Sequence, residues 1–133
     1  LLHPPYAFIS TLCAAIASDS RFVDPPVVKD GSGNICRAQY VSRAQIPFER
    51  DGDASSAPAG ARRHIGLYAY RVGFLQDFSS GSVAPYERLE SLEQLRALHS
   101  GYEIRIADAK ETVPAGVDTK ADLEAVRAIM AGQ

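Results

Sequence analysis

The chain contains 133 residues, which is enough for one domain with one hydrophobic core. Its 46% hydrophobic and 23% charged residues are typical of a soluble globular protein. The formal net charge of −2 gives no reason to expect nucleic acid or an anionic membrane as a partner. No apolar run approaches the roughly 18 residues that a membrane span needs. The first residues also lack the pattern of a secretory signal.

The cysteines and histidines predict no metal or redox site. Cys13 and Cys36 lie far apart and lack the spacing of either motif, so we expect two reduced thiols, with a disulfide as the alternative. His3 and His99 do not complete a metal-binding pattern with them. Because the sequence starts at Leu1 rather than methionine, we expect that it begins inside a longer reading frame or has been processed.

The first third of the chain is predicted to consist of short elements between turns. Residues 1–9 favour a loop or a first helical turn, because adjacent prolines occur there. Residues 10–17 are small and apolar, and fit a buried strand or a short helix equally well. Turn-forming pairs then surround a short Val27-Val28 segment, and residues 35–42 are strand-like.

The middle of the chain contains a predicted loop followed by the clearest predicted strand. Residues 49–61 lack bulky apolar side chains, and we expect a mobile surface loop within one domain. Residues 63–71 alternate as a strand, and its central glycine leaves room beside the backbone. A period of two predicts a core face and an opposite face: Ile65, Leu67 and Ala69 on the first, and His64, Gly66, Tyr68 and Tyr70 on the second.

The last third predicts two amphipathic helices with a strand between them. Residues 85–99 carry leucines every three residues after an initial proline, and Gly101 is placed to end this helix. We expect Glu87 and Glu90 on its solvated face. Residues 103–109 alternate as a strand. In the second helix Thr119 and Asp122 form the amino-terminal cap, and a buried stripe is expected: Leu123, Val126, Ile129 and Met130.

This succession of strands and amphipathic helices indicates an α/β layered fold. Four stretches within it, in order, resemble the 3-deoxy-manno-octulosonate (Kdo) cytidylyltransferase family. Each stretch alone is a weak signal, whereas their common order and spacing over roughly residues 40–130 are specific. The stretches are Ser-Arg-Ala-Gln-Ile-Pro-Phe at 42–48, Arg-His-Ile-Gly-Leu-Tyr-Ala-Tyr-Arg at 63–71, Pro-Tyr-Glu-Arg-Leu-Glu-Ser-Leu-Glu-Gln-Leu-Arg at 85–96, and Gly-Val-Asp-Thr at 116–119 with Asp-Leu-Glu at 122–124.

The resemblance implies transfer of CMP from CTP to Kdo, giving CMP-Kdo and pyrophosphate, with magnesium as cofactor. It places this reaction in lipopolysaccharide synthesis in the cytoplasm, by a homodimer. It also implies that the α/β fold is part of a Rossmann-like nucleotidyltransferase layered sheet (the nucleotide-diphospho-sugar transferase type). By the same resemblance we expect the amino-terminal nucleotide-binding half, with its glycine-rich basic loop, to be missing from this sequence. Residues 1–133 would then form a single partial domain, the sugar-binding and dimerising half.

The resemblance also implies substrate-binding roles for five residues. Arg43 would bind the carboxylate of the acid sugar, since a guanidinium fork can make two parallel hydrogen bonds to it. His64 and Tyr68 would contact sugar hydroxyls, to which imidazole and phenol can donate or from which they can accept. Glu93 would reach further hydroxyls, assisted by Gln94. No catalytic residue is identified.

Asp118 would be a magnesium ligand, since that ion binds through one or two carboxylates and substrate phosphates. Without the resemblance, a helix-initiating Asp-Thr pair is the favoured interpretation. Two alternatives stay open: a non-catalytic truncated or dimerising module, and a cytidylyltransferase for a related acidic sugar. We expect no turnover by this chain alone, and a sheet with one edge or face exposed.

Overall fold

A five-stranded mixed sheet is the central element of the computed structural model, which describes residues 7–16, 18–32, 36–114, 116–117 and 119–132. The order across the sheet is β3-β2-β4-β1-β5, in which β1 runs parallel to β5 and the other neighbours are antiparallel. The strands are β1 (Ile9–Ala15), β2 (Lys29–Ser32), β3 (Ala38–Ser42), β4 (Arg62–Tyr70) and β5 (Ile104–Asp108).

Helices surround this sheet and confirm the predicted α/β class. They are α1 (Asp19–Val23), α2 (Val72–Ser80), α3 (Pro85–Glu90), α4 (Gln94–His99) and α5 (Lys120–Ala131). The sequence did not predict α1 or α2, whereas the ambiguous run at residues 10–17 is a strand. No helix within the described ranges is long and apolar enough to cross a membrane.

The main core lies between one sheet face and the helices α2 and α4. Phe74 of α2 and Ala97 of α4 are buried against apolar strand residues. Cys13 belongs to this core as a buried free thiol, and Cys36 is an exposed free thiol, as expected. The strand residues in the core are Ile9, Cys13, Ala38, Ile104 and Ile106.

The two outer strands of the sheet approach each other at one end. The backbone N–H of Ile106 in β5 donates to the carbonyl of Cys36, which immediately precedes β3, at 2.9 Å. Arg37 and Arg105 form an isolated antiparallel bridge beside it. The sheet therefore curls, because the residues immediately before its first strand in this order bond to its last strand.

A bulge in β4 exposes one residue of the predicted core face of that strand. Thr11 pairs with Tyr68 whereas Leu12 pairs with Ile65, so two residues of β4 have no partner in β1. The Thr11 hydroxyl lies 3.0 Å from the carbonyl of Ile65 and 2.9 Å from that of Leu67, and stabilises the bulge. Leu67 is 53% exposed, so its predicted core position is wrong.

The predicted helix over residues 85–99 is wrong as a single element. Ser91 adopts a left-handed conformation with φ 51° and ψ 49°, and separates α3 from α4. Leucines spaced by three drift by about 60° per step around a helix of 3.6 residues per turn, so they cannot all face one core. Leu89 is accordingly 81% exposed, whereas Leu92 and Leu95 are buried after the break. Gly101 ends α4 with φ 81°, as predicted.

The strained conformation of Ser91 predicts a gain in stability from glycine. Ser91→Gly is expected to raise the free energy of unfolding by up to about 1 kcal/mol, because glycine adopts the left-handed region without a Cβ clash. Ser91→Val is expected to lower it, since a β-branched residue fits that region poorly. Urea unfolding of both variants checks this, and equal stability of the two would contradict it.

Helix α5 has the predicted cap but not the predicted burial. Thr119 Oγ1 accepts a hydrogen bond from the backbone N–H of Asp122, and the Asp122 carboxylate accepts from the backbone N–H of Thr119. None of the residues described in α5 is buried, and Met130 is 70% exposed. The predicted stripe of Leu123, Val126, Ile129 and Met130 is therefore wrong as a buried surface, because no packed neighbour covers it in the described part of the chain.

Candidate functional site

His64 and Tyr68 form a hydrogen-bonded pair on β4. The His64 Nε2 and Tyr68 hydroxyl are 2.5 Å apart, and their ring centroids are 5.3 Å apart. The bulge between them inserts two residues, so alternation is preserved and both side chains stay on one face, as predicted. Gly66 lies between them, and a Cβ added there would meet nothing within 4 Å. The predicted space beside the backbone is therefore present.

Burial keeps both members of this pair neutral. Desolvation lowers the pKa of His64 to about 4. Burial also raises the pKa of Tyr68 well above its ordinary value, with smaller contributions from Tyr70 and from the charge of Glu93. The His64 Nδ1 is buried without a hydrogen-bond partner. The pair therefore offers neutral polar atoms that can exchange hydrogen bonds with a ligand hydroxyl.

Glu93 lies close to the aromatic side chains of β4. Burial first, and then the negative charge of Glu93, raise the pKa of Tyr70. The rings of Tyr68 and Tyr70 stack with centroids 5.6 Å apart. Glu93 itself is exposed and precedes the first turn of α4, while Gln94 is half-buried. The charge of Glu93 thus acts on Tyr68 and Tyr70 of β4.

Arg43 is attached to the segment between α3 and α4, residues 90–93, called here the α3–α4 junction. Its Nε donates to the carbonyl of Glu90 at 2.6 Å. Its terminal nitrogens lie 3.4 Å from the carbonyls of Pro25 and Ser91. These two longer contacts leave donors of the guanidinium fork for a ligand, because arginine carries five N–H groups.

The helix break makes this attachment possible. In an uninterrupted helix the carbonyl of Glu90 would accept from the backbone N–H four residues later. The break at Ser91 removes that bond, and the carbonyl accepts from Arg43 instead. The junction that holds Arg43 therefore also carries Glu93, so two predicted substrate-binding residues share one structural support.

The predicted solvated positions of Glu87 and Glu90 are wrong. The buried Glu87 carboxylate accepts from the backbone N–H of Ala84 at 3.0 Å and from two nitrogens of Arg96 at 2.5 and 2.9 Å. Hydrogen bonding to Arg96 holds the pKa of Glu87 below its usual range. Its position three residues after the helix cap was a sequence signal for this role. Glu90 is half-buried and accepts three hydrogen bonds from β3 and Arg43.

A second polar group, which the sequence did not predict, lies where β1, β2 and β4 meet. The Arg62 guanidinium donates to the Cys13 sulfur, at 2.9 Å for its closest nitrogen, and to Asp108. Asp30 is 2% exposed, and neither carboxylate oxygen has a hydrogen-bond partner. Desolvation raises the pKa of Asp30 from 3.8 to about 6, although Arg62 and Cys13 oppose this. Asp30 is therefore a poorly compensated buried acid.

The predicted magnesium ligand, Asp118, lies outside the described residues. Among the residues that are described, no group of three or more His, Cys, Asp or Glu side chains could hold a metal ion. A shallow groove lined by Phe22, Pro47 and Phe48, among others, contains none of the predicted site residues.

Comparison with known proteins places these features in a family. The profile of the family described as cytidylyltransferase matches residues 1–106. A 3-deoxy-manno-octulosonate cytidylyltransferase of Alcanivorax borkumensis is 45% identical over 97% of this chain and 53% of its own length. The proteins of the same name from Hahella chejuensis and Pseudomonas syringae pv. syringae are each 47% identical, over 96% of this chain and 52% of theirs.

A solved structure shows the same fold. The structure of CMP:2-keto-3-deoxy-manno-octonic acid synthetase complexed with CTP is 38% identical with a TM-score of 0.85, over 96% of this chain and 51% of that chain. The chain spans about half the length of the curated relatives it matches. Because the family profile covers most of its residues, the chain belongs to the cytidylyltransferase family.

Proposed function

We propose that this chain is the acid-sugar-binding part of an enzyme that transfers CMP from CTP to Kdo and releases pyrophosphate. The observation that carries the proposal is the neutral His64–Tyr68 pair, near which Glu93 lies on the same junction that holds Arg43. The names of the relatives, which are Kdo cytidylyltransferases, favour this substrate. Residues 1–133 would form one partial domain.

Each described residue has a distinct task in this proposal. The Arg43 fork binds the sugar carboxylate through two charge-assisted hydrogen bonds, which set the orientation of the sugar. His64 and Tyr68 hydrogen-bond to sugar hydroxyls and remain neutral at physiological pH. Glu93, assisted by Gln94, accepts hydrogen bonds from further hydroxyls. Together these residues would hold the anomeric hydroxyl in place for attack on the α-phosphate of CTP.

Further parts of the proposal concern groups beyond the described residues. CTP would bind to the amino-terminal half that the family resemblance implies, and magnesium would be the cofactor with Asp118 as a ligand. The product would serve lipopolysaccharide synthesis in the cytoplasm. A homodimer is favoured by three large apolar side chains near the end of β4 and in α2 that stay exposed: Leu67, Val72 and Leu75.

Pyrophosphate release with CTP, Kdo and magnesium tests the proposal, comparing this chain alone with the chain extended by its native upstream sequence. We expect activity only in the extended protein, which should also have a dimeric mass in light scattering. Asp118→Ala is expected to abolish the activity. Asp51→Ala is a matched control, because the Asp51 side chain is 82% exposed in the loop before β4.

Two outcomes would contradict parts of this proposal. Turnover by residues 1–133 alone would show that the chain does not need a second half. Inactivity of both proteins would reject Kdo as the substrate. A related acidic sugar would then be tested in the same assay, and inactivity with that sugar too would favour a non-catalytic or dimerising module.

A further inference from the structure

Glu90 contacts Arg43 through both its side chain and its backbone. Its Oε2 accepts from the backbone N–H of Arg43 at 2.7 Å, and its carbonyl accepts from Arg43 Nε at 2.6 Å. The same carboxylate accepts from the Ser42 hydroxyl at 2.7 Å and from the Tyr40 hydroxyl at 3.0 Å. The Glu90 carboxylate therefore holds the backbone of Arg43 where it leaves β3, and the Glu90 carbonyl makes the shortest contact to its guanidinium.

These contacts are strong enough to restrict the arginine. Hydrogen bonds to an ionised carboxylate are shorter and stronger than those between neutral groups. Glu90 and Arg43 are both half-buried, so water competes less for these hydrogen bonds than at an open surface. A long arginine side chain otherwise samples many rotamers, and binding a carboxylate with a fixed fork is favourable only if those rotamers are already restricted.

We propose that Glu90 is a positioning residue, which orients the Arg43 guanidinium towards the carboxylate of the acid sugar without contacting the sugar itself. This inference rests on the proposed function, because it assigns the substrate carboxylate to Arg43. It adds a residue for which the sequence predicted only a solvated helix face.

A purely structural role for Glu90 would have different consequences. Glu87, on the same helix, accepts hydrogen bonds from Ala84 and Arg96 and has no bond to Arg43. Its loss would weaken the attachment of α3 without changing the guanidinium. Glu87→Gln is therefore the matched control, expected to lower the melting temperature while leaving the KM for Kdo unchanged.

Steady-state kinetics of the extended protein test this role. Glu90→Ala removes the carboxylate that holds the backbone of Arg43 but keeps the carbonyl that accepts from its Nε. Because the backbone from which the arginine extends is then no longer fixed, the KM for Kdo is expected to rise about tenfold or more, with the KM for CTP unchanged. Glu90→Gln is expected to stay within about threefold of the parent, because its amide oxygen can still accept from Arg43 and Ser42. Tyr40→Phe removes one hydroxyl that donates to the Glu90 carboxylate and leaves no cavity. It is expected to raise the KM for Kdo by a smaller factor than Glu90→Ala does.

The outcomes separate this inference from the proposed function. If Arg43→Ala raises the KM for Kdo and Glu90→Ala lowers only the melting temperature, Glu90 is structural and the inference fails alone. If neither variant changes the KM for Kdo, both proposals fail. If Glu90→Ala does not fold, Tyr40→Phe tests the positioning role instead. An unchanged KM for Kdo in Tyr40→Phe would then contradict that role.

Discussion

Asp30→Asn is expected to stabilise the protein by about 2 kcal/mol at pH 7. The parent carboxylate is buried without hydrogen-bond partners, and desolvation raises its pKa from 3.8 to about 6. A shift of this size corresponds to a cost of about 3 kcal/mol when the group is ionised. The asparagine amide has nearly the same shape as the carboxylate and carries no charge. Its own polar atoms would also be buried without partners, so part of the free-energy cost of burial remains.

The stability gained in Asp30→Asn is expected to increase with pH. Because the folded pKa lies above the unfolded pKa, the folded state retains a proton that the unfolded state has lost between about pH 4 and pH 6. The contribution of Asp30 is therefore most favourable below pH 4 and is lost as pH rises through 6. The advantage of Asp30→Asn should accordingly be near zero at pH 4 and full at pH 7.

His64 makes the free energy of unfolding change with pH in the opposite direction to Asp30. The quantity to measure is therefore the difference in free energy of unfolding between Asp30→Asn and the parent. Its pKa falls from 6.5 to about 4 on folding, so its contribution is full above pH 6.5 and is lost as pH falls towards 4. This contribution is common to the parent and to Asp30→Asn, and cancels when they are compared. Urea unfolding at several pH values measures the difference. Asp51→Asn, at an exposed carboxylate, is the control with no expected gain.

Two results would contradict the role given to Asp30. A loss of stability in Asp30→Asn at pH 7 would mean that the ionised carboxylate is compensated, with Arg62 as its partner. A gain that does not change between pH 4 and pH 7 would mean that the benefit comes from packing rather than from removal of an ionisable group.

Arg43→Ala is expected to weaken the binding of Kdo by at least about 100-fold. Hydrogen bonds to charged groups contribute about 1.5–3 kcal/mol each, and the bidentate contact loses both. Arg43→Lys is expected to retain only a small part of the Kdo affinity that Arg43→Ala loses, because an ammonium group cannot reproduce the planar fork of the guanidinium. Isothermal titration of the extended protein with Kdo, and separately with CTP, measures both affinities.

The CTP titration and an exposed arginine provide the controls. CTP affinity should be unchanged in Arg43→Ala, since the proposed nucleotide site lies in the other half. Arg50→Ala should bind both substrates normally, because the Arg50 side chain is 87% exposed and pairs with its neighbour Asp51. Equal weakening of both substrates in Arg43→Ala would indicate a disrupted fold, and unchanged Kdo affinity would reject the assignment.

The sequence predicted the structural features that depend on residues close to one another in the chain. The cap formed by Thr119 and Asp122, the stop at Gly101 and the strand Ile104–Asp108 all depend on neighbouring residues, and all are confirmed. The shared face of His64 and Tyr68 was also predictable, since a bulge of two residues preserves the alternation. The substrate roles of the site residues remain predictions.

Features that depend on distant contacts could not be predicted in the same way. Periodicity assigns a residue to a helix face but not to a partner, so nothing in the pattern revealed that Glu90 meets β3. The leucine spacing of three argued against one continuous helix, but it did not identify Ser91 as the position of the break. Asp30 follows an apolar segment, but its burial comes from the pairing of β2 with both β3 and β4. The burial of Met130 was expected from an apolar stripe, yet a stripe alone does not supply a surface to cover it.

The hydrogen bond between Ile106 and Cys36 has a consequence for how two copies of this protein could associate. An unpaired outer strand can extend a sheet by adding a strand from another molecule, which is a common route to aggregation. In this protein, the residues just before β3 already form backbone hydrogen bonds with the outer side of β5. Intermolecular strand addition is therefore obstructed at this end of β5, and association through side-chain surfaces is favoured over growth of a continuous sheet.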